Sequence, residues 1–363
     1  MESPPLPAPP EDLPVVVPQE TIEKEQWSYQ PEWNEEEYIR RSREEQFAGI
    51  KRFLKAVGAL CCLTVFANLI VAVIIFVLLG PEIMQHLYQS SSVLFVITPA
   101  IVPIFVIEGA ALVAFFAFIM FAITLSFTYL VGSSFVQTLR ETLTGKPGRH
   151  SWILMVGGLS LASLFVTEAS YFLVGAAGIS PNVPSFGSEP TWAQVYGYAE
   201  ASVWEEIVSR LLLIGVPLLW IDLIFRRKKL LTPKKYFLGG MKRYGPVEIC
   251  LVIFSGLMFG FAHVYSWDVF KVIPTVVGGF CFGYIFLTVG LHGSIVFHMS
   301  FNLLAVPTMF LASAYGTVLG LAIVFFWLPV GFMFGVYWLL RLGKFFNKRL
   351  FRTGPVQPVQ PPA

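Results

Sequence analysis

From residue 57 to residue 340 the chain alternates long apolar runs with short polar breaks. A bilayer-spanning helix needs about 20 apolar residues. Eight runs meet that need: Val57–Gly80, Ile104–Val131, Trp152–Gly178, Ser202–Phe225, Val247–Val264, Val272–Leu291, Ser294–Ala314 and Thr317–Leu340. The apolar run that begins at residue 93 is too long for one helix, and Pro99 and Pro103 interrupt its early part. A short broken or re-entrant piece is therefore expected over residues 93–107, ahead of the second span. The pattern predicts an all-α polytopic membrane protein, a bundle of about eight transmembrane helices around an intramembrane polar cavity.

Composition agrees. Hydrophobic residues make up 55% of the 363 and charged residues 13%, against about 45–50% and about 25% in soluble domains. The basic residues alternate from break to break. Residues 40–55, 133–151, 226–246 and the C-terminal tail are rich in Lys and Arg, while 81–92 and 179–200 have none and 265–271 has Lys271 alone. This places both termini in the cytoplasm, with the plasma membrane of a prokaryote as the expected location. Residues 1–50 are a Pro-rich, acidic cytosolic tail, disordered at first and then helical. Residues 51–195 hold the first transmembrane helices, 196–315 a core, and 316–363 the last helix and a basic tail. Cys61, Cys62, Cys250 and Cys281 lie in apolar runs without a CxxC spacing, which points away from a disulfide framework or a cysteine zinc site.

An ionisable residue inside a span is costly and is a functional candidate by default. Glu108, Glu168, Glu205, Glu206, Arg210, Asp222, His263 and His298 qualify, with Asn302 as a polar neighbour. Glu206 and Arg210, four apart, share a helical face and can pair. Glu205 points about 100° away and is left as the free carboxylate, the kind of group that serves as a general base. The competing view puts both glutamates at the interface, near the start of the fourth span, where acidic residues favour the helix dipole. His298 and Asn302, also four apart, can offer two donors to an oxyanion or hold helices together. Asp222 is expected to pair with Arg226, and Glu108 and Glu168 carry no assigned chemistry. On the spans above, His298 stands about 8 Å from the cytoplasmic end of its helix, whereas His263 stands at the outer end of its own. The two must nevertheless reach one substrate.

Glu205-Glu206-Ile-Val-Ser-Arg210, Phe259-Gly-Phe-Ala-His263 and His298-Met-Ser-Phe-Asn302 fall on three different spans. This set resembles the motifs of the CPBP family, the CAAX prenyl proteases and bacteriocin-processing enzymes also called ABI proteins. The likeness covers roughly residues 195–310 and includes the glycine-rich stretch before His298. Ser209 and Leu211 stand where many members have Phe and Gly, and the basic loop 226–246 lengthens the gap from Glu205 to His263.

The resemblance implies an intramembrane endopeptidase cutting near the membrane surface. Glu205 and His263 would activate a water, His298 and Asn302 would form the oxyanion hole, and Glu206 with Arg210 would support the fourth helix. No metal is assigned and no cofactor is expected. The alternative is zinc held by Glu205, His263 and His298, although the sequence has no HExxH pair. The implied partners are membrane lipids and a peptide or membrane-protein substrate, with prenylated peptides among the candidates, and no nucleic acid. The alternatives in function are a non-catalytic scaffold or immunity-type protein on the same fold, and a proton-coupled transporter. The intact polar set argues against the first and the lack of an internal repeat against the second.

Overall fold

A computed structural model describes residues 35–143, 152–179, 189–226, 230–241 and 245–350. The Pro-rich N-terminal segment and the end of the C-terminal tail lie outside them. Contacts divide the chain between Phe53 and Leu54, and the architecture below is that of the second unit.

The described chain is mostly helical. Helix α1 (Glu35–Leu87) crosses the unit boundary. It is followed by β1 (Ser91–Ile97) and β2 (Ile101–Glu108), then α2 (Gly109–Glu141), α3 (Trp152–Ala176) and α4 (Thr191–Phe225). The short α5 (Pro233–Leu238) precedes α6 (Pro246–Ala262), α7 (Val272–Thr288), α8 (Leu291–Asn302), α9 (Val306–Phe310) and α10 (Ser313–Lys344). Six described helices are long and apolar enough to cross a membrane. The fifth and seventh expected spans are helices of 17 and 12 residues, about 25 and 18 Å long.

Three features depart from the expected layout. Residues 93–107 form an antiparallel hairpin rather than helix. Its tip satisfies its own polar groups, as Thr98 N and Oγ1 both donate to the Ala100 carbonyl and Ala100 N donates to Thr98 Oγ1. Pro103 stands opposite Phe95, next to a register shift. The Phe95 carbonyl turns away from the ladder to accept Trp204 Nε1 at 2.9 Å. An outward-facing pair has no ladder bond to lose, so the missing proline N–H costs the sheet nothing.

The second departure is the start of the fourth span, at Thr191 and not Ser202. Its α-helical turns change to a π-helical stretch, Ile207–Gly215, directly after Glu206, and such wide turns recur at functional sites.

The third is the basic loop 226–246, whose described part folds back against the bundle. Gly240 N and Met241 N donate to the carbonyls of Phe286 and Leu287 at the end of α7. A Cβ on Gly239, whose φ is +68°, would lie 2.1 Å from the Phe286 oxygen, and one on Gly215 would lie 2.2 Å from the Tyr236 oxygen. Side chains close the loop from below. Arg226 bonds Asp222 at 3.3 Å, as expected, and Glu248 at 2.7 Å. Tyr236 donates to Asp222 at 2.7 Å and accepts Leu231 N.

Glycines set the spacing of α6 and α7. Cβ atoms on Gly256 and Gly260 would strike Phe280 and Val276, and one on Gly279 would meet the backbone of Gly256 at 2.8 Å. Small residues four apart on facing helices let the backbones touch, the association mode that works without a hydrophobic drive in lipid. The contact carries His263 on α6 toward the core, where Phe259, Phe282, Phe297 and Val203 are buried together.

Candidate active site

Glu205 is the fourteenth residue on from Thr191, about 21 Å along the axis. It is therefore deep in its helix and 12% exposed, which removes the helix-start part of the competing view. His263 caps the end of α6, and His298 lies in the last two turns of α8, which stops at Asn302. The mismatch in depth disappears because both helices are short and end inside the bundle, where their terminal residues meet α4.

The structure brings Glu205, His263 and His298 together. Glu205 Oε2 lies 3.9 Å from His263 Nε2 and 3.8 Å from His298 Nε2. Both gaps exceed a direct hydrogen bond and are of the kind a bridging water closes. His263 Nδ1 is 2.7 Å from the Phe259 carbonyl, which fixes the ring by its far nitrogen. Asn302 reaches the same helix higher up, its Nδ2 donating to the Tyr198 carbonyl at 3.4 Å.

Glu206 and Arg210 form the expected ion pair, at 3.0 Å and fully buried. The pair does more than join two turns of α4. Arg210 also donates to Ser255 Oγ on α6 at 2.7 Å, and that hydroxyl bonds the Ser209 carbonyl at 3.1 Å. The guanidinium lies 5.5 and 5.4 Å from the ring centres of Phe259 and Phe282, within cation–π range. Glu206 accepts from Ser294 on α8 and faces His298 Nδ1 at 3.2 Å. A buried ion pair is tolerated when further hydrogen bonds satisfy its remaining atoms, and here those bonds run to α6 and α8.

Ser255, Ser294 and Trp204 also support the site and do not stand out in the sequence as ionisable residues do. A signal for the two serines exists: each stands one or two turns upstream of a motif residue on one face, Ser255 eight before His263 and Ser294 four before His298. The indole of Trp204, the residue before Glu205, ties the hairpin to the site helix. Glu108 and Glu168 are exposed and lie apart from this cluster.

Among the described residues, no three His, Cys, Asp or Glu side chains are gathered closely enough to hold a metal ion. Glu205 with the two histidines comes nearest. Zinc bonds of about 2.0–2.1 Å in a tetrahedron need donors about 3.3 Å apart, so these three would have to close in.

Residues 187–304 match the family model described as Type II CAAX prenyl endopeptidase Rce1-like. Over this segment the chain is similar to the CPBP family of CAAX-type prenyl endopeptidases. The match spans the whole of α4, α6, α7 and α8, and so all six polar residues of the three motifs. Comparison with curated proteins and with solved structures gave no match.

Proposed function

We propose that this protein is a CPBP-type intramembrane endopeptidase that hydrolyses a peptide bond with a water activated at Glu205. The observation that carries the reading is the convergence of one carboxylate and two imidazoles from three helices on a space one water could fill. Glu205 accepts a proton from that water while its oxygen attacks the scissile carbonyl, and His263 orients it. The oxyanion is stabilised by donors on α8, with the Asn302 amide as the group that needs only to leave the Tyr198 carbonyl. Glu206 and Arg210 hold the three helices in register. The family match favours substrates ending in a prenylated, CAAX-type peptide.

The test is cleavage of a C-terminally farnesylated peptide and its unprenylated counterpart by the full chain in lipid vesicles, read by mass spectrometry. Cleavage by the native protein and none by Glu205→Gln is expected. Equal cleavage by both proteins would sink the reading, and failure of both peptides would favour a non-catalytic scaffold on this fold.

A further inference from the structure

Behind His298, on the side away from Glu205, lies a closed polar shell. Glu206, Arg210, Ser255 and Ser294 are all fully buried in it. Glu206 meets Arg210 through both of its oxygens, at 3.0 and 3.4 Å. Its Oε2 takes the Ser294 hydroxyl, and its Oε1 is left for His298 Nδ1. That hydroxyl also lies 3.2 Å from the Phe282 carbonyl. It has one proton to give, and a charged acceptor makes the stronger bond.

A neutral imidazole carries its proton on one nitrogen, and the partner of the other nitrogen decides which. An ionised carboxylate can only accept. Glu206 therefore keeps the proton on Nδ1 and leaves Nε2 as a lone pair on the Glu205 side. His263 is set the same way by a different acceptor, the Phe259 carbonyl.

We propose that Glu206, braced by Arg210 and Ser294, is a positioning residue that locks His298 in its Nδ1–H tautomer, so that both histidines present acceptor nitrogens to the water at Glu205. This rests on the hydrolase reading and changes one role within it. A ring so locked is an acceptor at Nε2 and cannot donate to an oxyanion there, so His298 works on the water and the oxyanion falls to Asn302.

The proton balance then closes on Glu205. One water proton passes to Glu205 Oε2 as the oxygen bonds to the carbonyl carbon, while an imidazole Nε2 accepts a hydrogen bond from the second. The Glu205 proton moves to the amide nitrogen as the C–N bond breaks, which restores the carboxylate and releases acid and amine. His298 keeps its Nδ1 proton throughout.

The tautomer can be read without any substrate. The full chain is labelled with ¹⁵N-histidine in micelles, and the His298 signals are assigned by difference from His298→Asn. Spectra are taken at about pH 8, above the ordinary histidine pKa of about 6.5. The native protein is expected to show Nδ1 protonated and Nε2 bare. Glu206→Gln, whose amide can donate as well as accept, is expected to lose that single pattern. Its kcat should fall on the order of 10²–10⁴-fold, as a wrongly set tautomer costs elsewhere, with KM little changed. Ser294→Ala gives a second variant should Glu206→Gln fail to fold. It should weaken the pattern, and Ser294→Thr should restore it.

A native spectrum with Nε2–H, with both nitrogens protonated, or with Nδ1–H unchanged in both Glu206→Gln and Ser294→Ala overturns the proposal. A native Nδ1–H spectrum in a protein that cleaves neither test peptide overturns the hydrolase reading and leaves the lock standing.

Discussion

His298 Nδ1 lies 3.2 Å from Glu206 Oε1, and both side chains are buried. The second glutamate of the motif therefore reaches past its own helix to α8. Removing it leaves Arg210 as a fully buried charge with no carboxylate. Glu206→Ala should cost about 3–5 kcal/mol of stability, the usual penalty for breaking a buried pair. A large fall in the thermal midpoint checks this, and a midpoint within a degree or two of the native one would count against it.

Glu205 is the contrast. Its contacts with the two histidines, at 3.8 and 3.9 Å, are too long to hold the fold together. Glu205→Gln should leave stability within about 1 kcal/mol of native and reduce kcat at least about 10²-fold, the usual worth of a general base. Thermal melts and turnover on one preparation separate the two effects.

Gly260 carries the contact that delivers His263. A side chain there would meet Val276 Cγ2 at 2.1 Å and the Val276 backbone at 3.0–3.1 Å. Gly260→Leu should force α6 from α7 at a cost of at least about 1–3 kcal/mol and lower activity with it. Gly335, with nothing within 4 Å of its Cβ position, is the control, and Gly335→Ala should leave both unchanged.

Trp204→Phe removes the indole donor to the Phe95 carbonyl and keeps the aromatic bulk against Phe115. It should cost about 1 kcal/mol and speed hydrogen exchange or proteolysis in residues 91–108 before the rest of the chain. Unchanged exchange there would show that the hairpin is held by its packing alone.

Metal dependence has its own test. The donor separations around Glu205 are wider than zinc requires, so strong chelation is expected to leave the rate unchanged, with no stoichiometric metal by elemental analysis. Loss of activity restored by added zinc would mean that the three side chains close around an ion.

The site was the most legible part of the chain. Polar residues at four-residue spacing within apolar runs stand out, and that spacing fixes which share a face: Glu206 with Arg210, His298 with Asn302. Contacts across helices were not legible, because spacing along one helix says nothing of which face meets which neighbour. That is why Glu206 was read as serving Arg210 alone.

The hairpin was hidden by its surroundings. Val93, Val96, Ile97, Ile101, Val102 and Ile104 are β-branched, a strand signal, but in a membrane chain an apolar run lacks the polar alternation that tells strand from helix. The early start of α4 was missed for the opposite reason. Residues 191–201 are too polar for a hydropathy threshold, yet they continue the same helix and set the depth of Glu205.

The fold-back of residues 230–241 onto the end of α7 bears on the helices that carry the candidate site. Here Gly240 and Met241 cap the last carbonyls of α7, and Arg226, Asp222, Glu248 and Tyr236 knit the neighbouring helix ends together. These bonds join the loop, the end of α7 and the neighbouring helix ends into one cross-linked unit, so that a change in the loop is transmitted to the helices that carry Glu205 and His263.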